Sequence, residues 1–235
     1  MLKMKNSIFN IVNLNQKYPN SSFGLKNISM YINEGEIVGL IGKNGSGKTT
    51  LLDTLSNLES KISGNCYYKG KSIDNDFYKK TLGYLPTTLN LYDYLTLREN
   101  LEFVFELRKR KYDEKWIENM LTDFELYSSL DTPLVDLSKG MRIKFNFIIT
   151  LIHNPQILLL DEPFEGLDPA QAITLKNTLK NQANIGKGIL LSSHILSYLS
   201  DICNRIYFIK NGEIVKEVVN TNELSLSSLE ALFYE

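Results

Sequence analysis

Gly42, Gly47, Lys48 and Thr49, within the stretch IGKNGSGKTTLLDTL of residues 41–55, follow the spacing glycine, four residues, glycine, lysine, hydroxyl residue. That spacing suits a polyphosphate ligand. Glycines strip away side chains where backbone amides must close around an anion, and a helix starting just after them aims its own unpaired N–H groups at the same place. Lys48 would bring a mobile positive charge to the outer phosphates, and the Thr49 hydroxyl could ligate magnesium. Lys43, Asn44, Gly45, Ser46 and Thr50 complete the candidate cradle.

A nucleotide site needs a second half for metal and chemistry. PQILLLDEPFEGLDP, residues 155–169, runs through four consecutive apolar residues, Ile157 to Leu160, into Asp161 and Glu162. A strand buried on both faces of a parallel sheet has this pattern, and ligands gather at the carboxyl ends of such strands. Two carboxylates there call for a cation, so Asp161 is the candidate magnesium ligand and Glu162 the candidate base for an attacking water. A third apolar run, GILLSSHILSYL, ends at Ser192, Ser193 and His194, which puts the histidine where a donor to a terminal phosphate would be useful. The second histidine, His153, precedes a strand and reads as a packing or capping residue.

The elements that must hold these groups are legible from periodicity. SIFNIVNL and LKNISMYI mix β-branched and aromatic residues with polar ones, and predict an antiparallel layer separated by the turn-like YPNSSFG. EIVGLIG reads as a buried strand ahead of the glycine loop, and KTTLLDTLSNL as the helix after it. LRENLEFVFELRKR and DEKWIENMLTDFEL have helical spacing, with Trp116, Met120 and Phe124 on one stripe. Residues 206–218 read as a closing hairpin turning at Asn211-Gly212, and the last residues as a short capped helix.

Composition bounds the rest. With 235 residues and 43% hydrophobic content, the chain can bury a real core as one large domain. A net charge of −1 gives no electrostatic case for nucleic acid, so none is expected as a partner. Cys66 and Cys203 are too few for a disulfide framework and read as small buried hydrophobes in a reducing cytosol. No window reaches the ~18 apolar residues of a membrane span and no targeting segment is expected, so any membrane work requires a separate anchor.

In its order of motifs the chain resembles the ATP-binding cassette ATPases: the phosphate loop, a helical insertion, DLSKGMR, ILLLDEPFEGLDP and LLSSHIL. The resemblance implies an α/β P-loop fold of that type, with a mixed sheet core, an N-terminal antiparallel β subdomain and a helical subdomain of roughly residues 88–150 inserted into one domain spanning 1–235. It implies ATP and Mg²⁺ as ligands. Tyr18 matches the aromatic that stacks on adenine, with Phe23 a rival for the same role. Gly42 to Thr50 match the phosphate cradle, Asp161 the magnesium carboxylate, Glu162 the general base, His194 the switch histidine, and Gly166 to Asp168 the turn that touches a partner subunit.

The Leu137–Met141 stretch matches the motif such subunits present to ATP held by the opposite subunit, with Ser138 and Gly140 supplying a hydroxyl and a bare amide at a helix start. The working unit implied is a dimer of cassette subunits, identical or not, on the cytoplasmic face of a membrane and driving an integral permease. Exporters of drugs, peptides or lipids are the implied type. Exposed Tyr92 and Tyr94 are the candidates for permease contact. A non-transport cassette ATPase or a weakly hydrolysing regulatory module is the alternative.

Three departures from the common pattern matter. Lys139 and Met141 replace the usual glycine and glutamine of the partner-facing motif. Thr87 stands where the family has a glutamine that reaches the metal. Threonine is expected to fall short without a bridging water, so either hydrolysis is slowed or Thr88 or Asn90 substitutes.

Overall fold

The computed structural model describes residues 7–17, 23–57, 63–73, 77, 80–87, 91–108 and 113–219. Tyr18, Thr88, Asn90 and the C-terminal segment expected as a helix lie outside the described residues.

Two sheets organise the chain. The first is antiparallel, with β1 (Ser7–Lys17), β2 (Gly24–Asn33), β4 (Ser63–Tyr68) and β5 (Lys71–Ser72) in the order β2-β1-β4-β5. The second has the order β10-β9-β3-β8-β7-β6, built from β3 (Ile37–Ile41), β6 (Leu82–Leu85), β7 (Ile157–Leu160), β8 (Gly188–Ser193), β9 (Arg205–Lys210) and β10 (Glu213–Val219). Its strands pair in parallel except for β10, which folds back on β9. The mixed core sheet and N-terminal antiparallel layer are therefore as the sequence predicts.

Alternation along the central strands decides which face each side chain serves. Ile37 and Ile41 of β3, Leu158 and Leu160 of β7, and Ile189 and Leu191 of β8 join one apolar cluster. Their neighbours Val38, Leu40, Ile157, Leu159 and Leu190 join the other, together with Leu51, Leu52 and Leu55 of helix α1 (Lys48–Ser56) and the inner face of the antiparallel sheet. Both faces are covered, so these strands read as continuous apolar runs. By the same period of two, Asp161 after β7 and Ser192 in β8 fall on the α1 side.

Between β6 and β7 lie α2 (Leu97–Arg108), α3 (Glu114–Asp123) and α4 (Lys139–Leu151). Asp113 caps α3 by accepting from the Trp116 amide at 3.0 Å. Its buried face is Ile117, Met120, Leu121 and then Phe124, while Trp116 packs at the margin. The loop before α2 is braced: the buried Asn100 amide donates to the carbonyls of Tyr92, Leu95 and Thr96, and Val135 N donates to Asp93 O at 2.8 Å. From it Tyr94 projects at 88% exposure, whereas Tyr92 is half-exposed and packs edge-on against Phe103.

Helix α5 (Pro169–Asn184) leads from the Asp161 turn to β8, and the short α6 (Leu196–Ser200) follows His194. Lys144 of α4 is buried, and that burial pushes its pKa down against the opposing pull of Glu125 and Asp168. Arg205 pairs with Glu36 at 2.9 Å, bonds Glu217 and stacks 4.2 Å over the Tyr31 ring, tying the two sheets together. Cys66 and Cys203 are both buried, as expected, and burial pushes the Cys203 thiol well above its usual range.

Candidate functional site

The glycine loop joins β3 to α1 under several constraints that only small residues meet. A Cβ on Gly42 would lie 2.4 Å from both the Ile209 carbonyl and the Ser46 hydroxyl. Gly47 sits at φ +111° as the N-cap of α1 and offers no side chain to its amides. The hairpin turn at Asn211-Gly212 braces this loop from below, with Gly212 N donating to Ser46 O at 2.9 Å. On the other side of the loop, Gly45 adopts φ +79°, and a Cβ there would meet nothing within 4 Å. An uncapped helix start thus faces open space, which is how an anion cradle must be built.

That space is a cleft of about 530 Å³, within the usual range for small-molecule sites. Asn44, Gly45, Gly47, Lys48, Thr49 and Thr50 form one wall, Thr87, Glu162, Glu165 and His194 the opposite one, and Phe23 also lines it. Gly42, Lys43 and Ser46 frame the loop without lining the cleft. Lys43 is exposed, and the Ser46 hydroxyl is buried without a hydrogen-bond partner among the described residues.

Lys48 is 6% exposed; its Nζ donates to Gly42 O at 2.8 Å and lies 3.5 Å from Glu162 Oε1. Glu162 Oε2 meets His194 Nδ1 at 3.0 Å and accepts from the His194 amide at 3.3 Å. The candidate base is therefore held between a lysine and a histidine, each of which a terminal phosphate would attract. Glu162 adopts φ +48°, a left-handed backbone that aims the carboxylate out of the sheet.

Asp161 is almost fully buried, and its two oxygens have different partners. Oδ2 accepts from the Thr49 hydroxyl at 2.7 Å and the Thr87 hydroxyl at 2.6 Å. Oδ1 accepts from the Ser192 hydroxyl at 2.5 Å. Thr87 thus meets the candidate metal carboxylate directly: β6 pairs beside β7, with Asp161 N donating to Leu85 O at 2.8 Å, so the backbone delivers the short side chain to Asp161. One carboxylate with two converging hydroxyls is a hard-oxygen set that fits magnesium, whose remaining positions would go to water and phosphate.

Ser138 and Gly140 do not line this cleft. Ser138 caps α4, accepting from the Met141 amide at 3.2 Å, and is exposed. Gly140 packs so closely on the 161–168 turn that a Cβ would lie 2.6 Å from Gly166 O. Lys139 is exposed and pairs with Glu165 Oε1 at 2.6 Å, while Asp168 caps α5 by accepting from Gln171 N at 2.9 Å. His153 is buried with Nε2 2.8 Å from Leu82 O, the packing role expected of it.

Ser192 and Glu165 have no role that the sequence alone assigns. A serine inside an otherwise apolar buried strand is the available signal for the first; nothing but proximity to Glu162 marks the second.

A family model described as "ABC transporter" matches residues 25–165. The uncharacterized ABC transporter ATP-binding protein YdbJ of Bacillus subtilis is 35% identical over 218 residues, spanning 92% of this chain and 70% of that protein. The lipopolysaccharide export system ATP-binding protein LptB of Haemophilus influenzae is 31% identical over 217 residues, 89% of each. Among solved structures, a dimeric ATP-binding cassette in a post-hydrolysis state with ADP and phosphate superposes with a TM-score of 0.78 at 26% identity, over 90% of this chain and 98% of that one.

Proposed function

The chain belongs to the ABC transporter family as an ATP-binding subunit, and from that premise we propose that it is a magnesium-dependent ATPase that closes around two ATP with a second cassette subunit and drives a separate membrane permease. Subunits of this family bind and hydrolyse ATP, dimerise and work with permeases. The observation that carries the assignment to these residues is the convergence of Lys48, Thr49, Thr87 and Glu162 on one cleft at the carboxyl ends of parallel strands, with Asp161 buried directly behind Thr49 and Thr87 and bonded to both hydroxyls.

In this reading the amides of Asn44 to Thr50 and the Lys48 ammonium bind and orient the phosphates. Thr49, Asp161 and Thr87 would hold magnesium, which when bound supplies positive charge against the phosphate oxygens. Glu162 Oε1 lies 3.5 Å from Lys48 Nζ, so a phosphate that draws Lys48 away leaves this oxygen available to accept a proton from water. His194, on the other carboxylate oxygen, holds the base in place and faces the terminal phosphate. Tyr18 is assigned to the adenine ring; its rival Phe23 lines the cleft. Ser138 and Gly140, outside their own chain's cleft, serve the ATP of the opposite subunit, where Lys139 would add charge on leaving Glu165.

We read 1–235 as a single cassette domain with its helical insertion at roughly 88–150. Tyr94, held out from a braced loop, and Tyr92 are the permease contacts, and this docking puts the subunit on the cytoplasmic face of the membrane. An exporter of the drug, peptide or lipid type is the proposed setting; the likeness to a lipopolysaccharide export ATP-binding protein supports export and not that range of cargo. Phosphate release by purified protein with and without magnesium tests the activity, and copurification from membranes identifies the permease. A protein that hydrolyses ATP but never associates with an integral membrane polypeptide would instead be a non-transport ATPase.

A further inference from the structure

We infer that Ser192 is a positioning residue of the hydrolytic site, its one hydroxyl fixing both the Asp161 carboxylate and the Glu162 backbone; this rests on the ATPase reading above. Ser192 lies in β8, fully buried, between β3, which opens the phosphate loop, and β7, which delivers Asp161 and Glu162. It pairs with Leu40 in register, and Leu191 with Leu160, so Ser192 and Asp161 are cross-strand neighbours on the α1 face.

The hydroxyl uses its donor and an acceptor position at once. Ser192 Oγ donates to Asp161 Oδ1 at 2.5 Å and accepts from Glu162 N at 2.9 Å. Beyond Leu160 the ladder between β7 and β8 ends, and Ser192 Oγ takes the place of the backbone carbonyl that would otherwise receive the Glu162 amide. That substitution lets the chain leave the sheet at Glu162 with φ +48° while its N–H stays satisfied. The turn sends the Glu162 carboxylate toward Lys48 and His194.

The bond to Asp161 Oδ1 acts on the other half of the site. With Oδ1 occupied by Ser192, Oδ2 is the oxygen left to face Thr49 and Thr87, which line the cleft. Ser193, by contrast, is explained locally, since its hydroxyl accepts from the Ile195 amide at 3.0 Å in the following turn. Ser192 is the one of the pair that reaches across to the catalytic strand.

The test compares wild type, S192A and S192T for steady-state ATP hydrolysis, and for calorimetric affinity toward a non-hydrolysable ATP analogue with magnesium and with chelator. S192A is expected to lower kcat about tenfold or more with KM for ATP within about threefold, and to shrink the gain in analogue affinity that magnesium confers, while affinity in chelator stays near wild type. S192T, which keeps the hydroxyl, restores kcat and the magnesium gain. Should S192A not fold, S192T against S192V isolates the hydroxyl at constant shape. An S192A or S192V protein with kcat within about twofold of its hydroxyl-bearing counterpart overturns the inference. A wild-type chain that hydrolyses no ATP defeats the ATPase reading and this inference together, an outcome distinct from an active wild type matched by its alanine variant.

Discussion

Lys48→Met separates the ligand-binding role of the lysine from its structural one. Methionine keeps the buried stem and removes the ammonium group. In the structure that group donates to Gly42 O at 2.8 Å and faces Glu162 at 3.5 Å. Losing the donor leaves the Gly42 carbonyl without it, at a cost of about 1–3 kcal/mol in stability. Glu162 keeps its contact with His194 but, at 14% exposed, loses the compensation of the Lys48 charge, which adds to that cost. For a chain of this size each kcal/mol lowers Tm by about 2–4 °C. A charged contact to phosphate is worth more, about 2–5 kcal/mol on truncation, which corresponds to a Kd raised about 30-fold to several thousand-fold. Calorimetric titration with ATP and magnesium, beside a thermal melt, reads both quantities on one preparation. A folded Lys48→Met protein that binds ATP within about threefold of wild type would refute the assignment of Lys48 to the phosphates.

Glu162→Gln removes the proton acceptor and preserves shape, so kcat should fall about 10²- to 10⁴-fold while ATP binding persists and a nucleotide-bound dimer accumulates, as read by phosphate release and size-exclusion chromatography. Thr87→Val deletes one of the two hydroxyls on Asp161 Oδ2 and should raise the magnesium concentration needed for half-maximal hydrolysis several-fold; an unchanged magnesium titration would remove Thr87 from the metal site. Lys187 tests electrostatics away from the cleft. It is buried, its amine donates to the neutral Gln182 Oε1 at 2.6 Å, and burial pushes its pKa down to about 8. Between about pH 8 and the unfolded value near 10.5 the unfolded chain holds more protons, so stability rises with pH across that window. Lys187→Met should therefore stabilise the protein by about 1–2 kcal/mol near neutral pH and flatten that rise, as denaturant titrations at several pH values would show.

Residues that act through spacing are legible in the sequence, and residues that act through register are not. Lys48 and Thr49 announce themselves because the glycines around them have no other economical explanation, and Asp161 and Glu162 because carboxylates end a run buried on both faces. The antiparallel layer and the Asn211-Gly212 hairpin follow from periodicity and turn chemistry, while the mixed sheet is what the family resemblance implies. The Thr87 contact with Asp161 is not legible from side-chain length, because the β6–β7 pairing carries the backbone to it. Ser192 escapes for a related reason: its partners lie 30 and 31 residues away, and only the order β3-β8-β7 makes them neighbours. The Gly212 bond to Ser46 O, which steadies the phosphate loop from the closing hairpin, is equally invisible without the fold.

The central claim is that one cleft, walled by the glycine loop and by the ends of β6, β7 and β8, holds a nucleotide triphosphate with its magnesium. Phosphate release by the purified chain, measured with ATP in the presence of magnesium and then of chelator, tests it most directly. Turnover that requires magnesium and vanishes in Asp161→Asn is the predicted result; a folded wild-type chain that releases no phosphate, or an Asp161→Asn variant as active as its parent, would contradict it.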